Sequence, residues 1–388
     1  MTRYQLTTDS IPLLLKLSDP VEREEVISRV ASESGLPRAR LEELFDSLLQ
    51  VGILNAETTA TAQPSGYSFA FGKLVNHRAM LADTARTGGF RRAIQEVVGE
   101  GDVVIDVGAG SGILSFFAAQ AGAARVFALE TSRVIHDARR LAEDNGLADR
   151  VEFVECDAGA FVTPRQADVI VSEFVGTFLV DEWRHFQAFA KVRDTCLRPG
   201  GTVIPRRAHL FLAPIDDSRL HQEVGLGFWD RSVHGLDFRL GRARQIESHE
   251  MKTCQVFSPS ILGEPWKVLD LDFLSDDSSA YLFESVGETR LSTPATCHGY
   301  VGYFNLDLTP DVRLDTSPFS VLTHWKQAYF PVEAFAIEAG DTLVTQVGTR
   351  RDEVTGSPSL DLHLALERGE RRVHEARYTF DVGDRPIG

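Results

Sequence analysis

The spacing of hydrophobic and polar positions changes character along the chain, and each change marks a different kind of element. Near the N-terminus Val26, Ile27 and Val30 form one apolar stripe at helical spacing, and Leu41, Leu44, Phe45, Leu48 and Leu49 form a second. Gly35-Leu36-Pro37 separates them, with the proline placed to open the second helix. Val51-Gly52-Ile53-Leu54 then reads as a turn into a strand. Helix, turn, helix, strand is a winged-helix-like order, so residues 1–56 are expected to form a small helical unit. Residues 57–66, ETTATAQPSG, lack periodicity and have the composition of a linker.

From Tyr67 to about Pro205 helical patterns alternate with short apolar runs, as a parallel α/β sheet requires. This stretch, residues 67–205, is expected to be a Rossmann-like domain. Beyond it the period shortens to alternating strands, among them Tyr300–Leu308, Leu343–Val347, Leu360–Ala365 and Arg377–Val382. Residues 206–388 therefore read as a mostly β domain, a sandwich or barrel. No internal repeat or low-complexity segment interrupts this order.

Composition adds limits. With 388 residues, 43% of them hydrophobic and 25% charged, the chain has the profile of a soluble protein of two or three domains. No apolar run approaches the ~20 residues that span a bilayer, and no secretory signal is visible, so no membrane association is expected. Cys156, Cys196, Cys254 and Cys297 are scattered and never form CxxC, which argues against a zinc site or a disulfide framework and suits a cytoplasmic location. A formal net charge of −16 repels nucleic acid at long range, and the second helix carries no basic cluster, so no nucleic-acid partner is expected. Dimerisation or substrate docking is the expected role of the N-terminal unit.

The candidate chemistry begins at Val103-Val104-Ile105-Asp106-Val107, a buried-strand run that ends in Gly108-Ala109-Gly110-Ser111-Gly112 and opens a helix at Ile113. Such a turn lets backbone approach a ligand and aims free helix N–H groups at it. The next strand ends in Glu130, 18 residues past Gly112, placed to accept from ribose hydroxyls. Asp157 follows the third strand and suits an adenine amino group; the fourth, Asp168–Ser172, ends in an acid, Glu173. Dinucleotide sites share this logic, but their fingerprint is GxGxxG, whereas this loop is GxGxG. The ordered set points to S-adenosylmethionine (SAM) rather than NAD.

Four segments together resemble the protein arginine methyltransferase family over roughly residues 67–385: Tyr67 through Thr87 ending MLADTART, the loop IDVGAGSGILSFFAAQAGA, SEFVGTFLVDE, and THWKQAYF with Thr323-His324-Trp325. The resemblance implies a SAM-binding α/β domain, a β-barrel after Pro205 and a helical dimerisation arm at about 216–244. It implies an acceptor-holding pair, Glu173 and Glu182, a proton-accepting pair, His324 with Asp83, and Arg86 on the carboxylate of the methionine moiety. Tyr67, Phe71, Asp106, Gly108, Gly110, Gly112, Glu130, Asp157 and Glu173 complete the expected cofactor set. A planar guanidinium matches paired carboxylates, which gives the two glutamates a physical reason to recur.

The chain departs from the family pattern in four places. Phe71 replaces a tyrosine, Phe174 and Thr177 replace a tryptophan and a tyrosine of the double-glutamate loop, and Gly159 replaces a glutamate near adenine. Asp181 and Arg184 flank Glu182 with opposite charges. Two acceptors follow: an arginine guanidino nitrogen in a peptide or protein, or a nitrogen or carbon nucleophile such as an indole in a tryptophan-derived peptide or small molecule. A homodimer is expected in either case.

Overall fold

The structure, a computed structural model, describes residues 23–34, 36–50, 72–248, 250–351 and 358–382. The chain divides into two compact units, Met1–Gln63 and Pro64–Gly388. In the first, α1 (Arg23–Ser34) and α2 (Arg38–Gln50) bury Val26, Ile27 and Val30 together with Leu41, Leu44 and Phe45. Pro37 stands just ahead of α2, where a missing N–H costs nothing, and its carbonyl accepts from the Leu41 amide at 3.2 Å. The side chains of Leu48 and Leu49, the strand expected at Val51–Leu54, the linker 57–66, Tyr67 and Phe71 all lie outside the described residues.

The second unit opens with a 3-10 turn, Leu74–His77, then α3 (Arg78–Ala82) and α4 (Thr84–Val97). The α/β sheet follows as β1 (Val103–Val107), α5 (Ile113–Ala121), β2 (Arg125–Glu130), α6 (Val134–Asp144), β3 (Val151–Glu155), β4 (Ala167–Ser172), α7 (Trp183–Cys196) and β5 (Leu197–Ile204). These five strands are parallel in the order β3-β2-β1-β4-β5. Every residue of β1 is buried, which is why its run is continuously apolar except for Asp106. The strand order reverses between β1 and β4. That switch opens a crevice at the carboxyl ends of the strands, the general ligand position in such sheets.

After Pro205 the connections become antiparallel. β6 (Arg207–Ile215) is followed by a helical insertion, α8 (Ser218–Glu223), a 3-10 turn (Leu226–Asp230) and α9 (Leu240–Ser248), which runs past the expected end at Arg244. Then come β7 (Lys252–Cys254), β8 (Trp266–Asp272), β9 (Glu284–Arg290), β10 (Ala295–Asp307), β11 (Arg313–Asp315), β12 (Gln327–Ile337), β13 (Thr342–Arg351), β14 (Pro358–Arg368) and β15 (Arg371–Asp381). The expected barrel is assembled from two antiparallel sheets, β7-β12-β10-β6-β8 with β11 beside β10, and β15-β14-β13-β9. One continuous core runs from Phe90 and Ile105 through Phe186 and Phe273 to Tyr300, Phe330 and Leu362, so the α/β and β parts share their hydrophobic interior. Among the described residues no helix is long and apolar enough to cross a membrane.

Candidate active site

The glycine loop lies at the end of β1. Gly108, Gly110 and Gly112 all have positive φ, 74°, 53° and 83°. At Gly110 a side chain is excluded twice over, by the left-handed backbone and by His77, whose Cε1 would stand 2.8 Å from an added Cβ. Glu130, at the end of β2, accepts from the Gly110 amide at 2.9 Å and the Ser132 amide at 2.7 Å, which ties the loop to the acid expected to hold a ribose. Asp157 caps the 3-10 turn Ala158–Ala160 by accepting from the Gly159 amide at 2.8 Å, so Gly159, which stands where the family has a glutamate, is held by the acid expected at the adenine amino group.

Asp106 is fully buried. The Ser115 hydroxyl donates to its Oδ2 at 2.7 Å, while Oδ1 has no hydrogen-bond partner among the described residues. Burial pushes its pKa up to about 7 against the lowering bond from Ser115. An orphaned polar atom beneath the loop, left-handed glycines and an acid at the next strand end together fit a nucleoside carrying a charged amino-acid tail. Gly108 contributes through its amide, which donates to Leu129 O at 2.9 Å and closes the loop against β2.

The second half of the site is built by long-range contacts. Asp83 caps α4, accepting from the Arg86 amide at 2.9 Å. Its other oxygen accepts from the backbone amide of His324 at 2.8 Å and faces His324 Nδ1 at 3.0 Å. Burial lowers the His324 pKa below 6.5, although the charges of Glu173 and Asp83 oppose the shift. The neutral ring that results donates from Nδ1 to Asp83, a tautomer assigned from this partner, and leaves Nε2 as a proton acceptor. Burial works against the Asp83 carboxylate, but the amides of Arg86 and His324 and the imidazole outweigh it and hold its pKa below 3.8.

Arg86 turns its guanidinium onto Glu173. Nε donates to Oε2 at 2.9 Å, Nη2 contacts the same oxygen, and both side chains are buried. Glu173 Oε1 accepts from the Val175 amide at 3.0 Å. Arg86, assigned by resemblance to a cofactor carboxylate, is thus also the partner of the first acceptor glutamate. Asp83, Arg86, Glu173 and His324 form one connected group.

Glu182 closes the same loop and pairs with His185 Nδ1 at 2.7 Å. The loop between the two glutamates is anchored by buried rings: Phe174 packs on Phe189 and Phe273 at 5.2 and 5.6 Å, and Phe178 on Phe330 at 4.8 Å. Phe174 is therefore a core anchor. Leu179, fully buried, takes a positive φ of 63°, a conformation a branched side chain adopts only when its surroundings impose it. Trp325 joins the two loops, donating from Nε1 to Val175 O at 2.6 Å.

Three contributors escaped the sequence reading. His77 carries no local signal and reaches Gly110 only through the fold. Ser115 stands in the first turn of α5, nine positions from Asp106. His185 was legible in principle, since a residue three beyond Glu182 shares its helix face.

Residues 206–368 match the family described as the arginine methyltransferase oligomerization subdomain, and residues 104–201 match the methyltransferase domain. Protein arginine N-methyltransferase 6 of Danio rerio is 30% identical over 330 residues, 81% of this chain and 92% of that protein. Histone-arginine methyltransferase CARMER of Drosophila grimshawi is 32% identical over 324 residues, 80% of this chain but 59% of its own length. Among solved structures, the Trypanosoma brucei PRMT1 enzyme-prozyme heterotetrameric complex with AdoHcy superposes with a TM-score of 0.73 at 25% identity, covering 80% of this chain and 99% of that one. Arabidopsis thaliana protein arginine methyltransferase 10 gives 0.71 at 26% identity, covering 81% and 100%. The glycine loop on a switch-point sheet, the loop bearing Glu173 and Glu182, and the oligomerization subdomain after Pro205 agree with these matches: the chain belongs to the protein arginine methyltransferase family of class I SAM-dependent methyltransferases.

Proposed function

We propose that this protein transfers a methyl group from SAM to a guanidino nitrogen of an arginine in a peptide or protein. The observation that carries the reading is the connected group in which Glu173 and the His324–Asp83 pair meet beside the loop that ends in Glu182. Bound at the crevice, SAM supplies an electrophilic methyl on a sulfonium, so positioning the nucleophile accounts for much of the rate. Gly108, Gly110, Gly112, Glu130, Asp106 and Asp157 are the residues assigned to hold it, with Arg86 reaching its carboxylate.

Glu173 and Glu182 accept from the guanidinium N–H groups and fix which nitrogen faces the methyl. Glu173 Oε2 takes both Arg86 N–H donors, whereas Oε1 has the Val175 amide in place and a second lone pair for the acceptor. Nε2 of His324 takes the proton that the alkylated nitrogen releases, and Asp83 holds the ring in that tautomer. The indole acceptor is not favoured, since the relatives are named as arginine methyltransferases.

The oligomerization subdomain supports self-association, and we assign it to the insertion between β6 and β7, where Leu236, Phe238 and Leu240 are exposed at 62%, 45% and 72%. A homodimer is the proposed assembly. Incubation with methyl-labelled SAM and arginine peptides, cyclic dipeptides or tryptophan derivatives, followed by mass spectrometry, tests the acceptor. Label on arginine is the expected result; label on indole with none on any guanidino compound overturns the reading.

A further inference from the structure

The insertion between β6 and β7 is rooted on two buried histidines. His221 lies on α8 and His298 on β10, and their ring centroids stand 5.0 Å apart. The pairing of β10 with β12 breaks register between Cys297 and Gly299, so His298 stands at an irregularity of the strand, where a side chain is re-aimed out of the usual alternation. On its other side His221 meets the 3-10 turn Leu226–Asp230. A Cβ added to Gly227 would stand 2.7 Å from His221 Nε2, so only glycine lets the turn come this close.

The two rings differ in what is placed to receive a positive charge. His298 Nδ1 stands 3.1 Å from Asp216 Oδ1, so a charged His298 has a carboxylate in reach. His221 Nδ1 is buried with no hydrogen-bond partner among the described residues. The charges around it are engaged with one another. Asp217 caps α8 and also accepts from the Ser260 hydroxyl, and Arg219 pairs with Glu223. Arg242 on α9 pairs with Asp230 of the turn and with Glu333 on β12. Burial raises the pKa of Tyr329 on β12 and of Cys254 on β7, so both stay neutral. For His221, burial and then His298 and Arg242 lower the pKa below 6.5, with Asp230 opposing. The folded ring thus refuses a proton that the unfolded chain binds. Its seating is fully stable above 6.5 and weakens as pH falls below that value.

We propose that His221 and His298 form an acid-sensitive latch at the root of the insertion: uncharged, or with one proton shared with Asp216, the facing rings seat α8 and the 3-10 turn on β10, and charging His221 releases these elements and with them the dimer. Two charged rings at this separation repel each other, and burial leaves no water to screen them. The consequence for the dimer rests on the assignment of self-association to this insertion; the latch itself does not.

Hydrogen exchange of peptides from residues 216–248 tests the latch at pH 8 and pH 5.5, each rate divided by that of the free peptide at the same pH. In the unaltered protein, protection of Ser218–Asp230 should fall about tenfold at pH 5.5, the factor set by one proton over one pH unit, while β13 and β14 keep theirs. His221→Phe keeps a ring but removes the titrating group, and should hold its protection at both pH values. His298→Phe removes the facing ring and should recover part of the loss. Sedimentation at the same pH values should show the parent passing from dimer to monomer in acid and His221→Phe remaining a dimer. Protection of Ser218–Asp230 that is unchanged at pH 5.5 in the unaltered protein overturns the latch without recourse to any variant, and so does an equal loss in His221→Phe. A protein that is a monomer at pH 8, yet opens this segment in acid, overturns the dimer reading and leaves the latch standing.

Discussion

Glu173 and Glu182 occupy one loop but differ in what surrounds them, and their variants should differ accordingly. Glu182 is held by the half-exposed His185, so Glu182→Gln should cut kcat by about 100-fold or more, equivalent to ~3 kcal/mol of lost transition-state stabilisation, with SAM affinity nearly unchanged. Glu173→Gln removes the same charge but also strands the buried Arg86, and breaking a buried pair costs about 3–5 kcal/mol of stability. Thermal melts beside single-turnover kinetics separate the two effects; equal melting temperatures for both variants would contradict this account. Asp106 gives a stability signature. Its folded pKa, about 7, lies above 3.8, so the folded state holds a proton that the unfolded chain has lost between these values. Its contribution is therefore greatest below pH 4 and declines as pH rises to 7. Asp106→Asn should remove that slope, raising melting temperature relative to the parent at pH 8 and not at pH 4. For His324 the shift runs downward, so the ring stays a proton acceptor to below pH 6.5. The acid limb of kcat/KM should have its midpoint below 6.5 and disappear in His324→Ala, where the residual rate becomes flat across that range.

At the level of elements, the site depends on how a helix start and two loops are pinned together. Asp83 is both the cap of α4 and the partner of His324, so the first turn of a helix and the THW segment are positioned by one carboxylate. The indole of Trp325 fixes the distance between the THW segment and the double-glutamate loop. Trp325→Phe keeps most of the packing against Phe304 but leaves a buried carbonyl without its donor, which costs about 1–3 kcal/mol. The predicted effect on turnover is larger than on SAM binding, because the cofactor loop between β1 and α5 is not part of this strut. Isothermal titration with SAM alongside steady-state rates checks it; a loss confined to cofactor affinity would show that the strut serves another purpose.

On the scale of the whole molecule, the shared core explains why site residues from distant segments hold fixed geometry: Asp83 and His324 are 241 residues apart and in direct contact. Self-association is the property to test here. Leu236, Phe238 and Leu240 project from the insertion between β6 and β7, where an isolated subunit would leave them in water. Replacing all three with serine should shift sedimentation at micromolar concentration from dimer to monomer without lowering the helix content seen by circular dichroism. A parent that sediments as a monomer would remove the assignment of this insertion.

The cofactor half of the site was legible in the chain because its determinants are local. A strand run, glycines at GxGxG spacing and the acid ending the next strand follow from backbone geometry; β1 spans the run the pattern marks and α5 begins where it places it. Strand pairing in the second half was legible only as alternation; that the strands close into two sheets around a common core depends on contacts distant in sequence. The same holds for chemistry. Nothing local says that Arg86 lies on Glu173 or that His77 fills the space beside Gly110. Those partners meet because the core buries the elements that bear them. The sequence by itself determined which chemical groups are present and the local turns that bear them. Which group faces which, and hence the protonation of Asp106 and His324, was decided by burial, a property only the tertiary structure has.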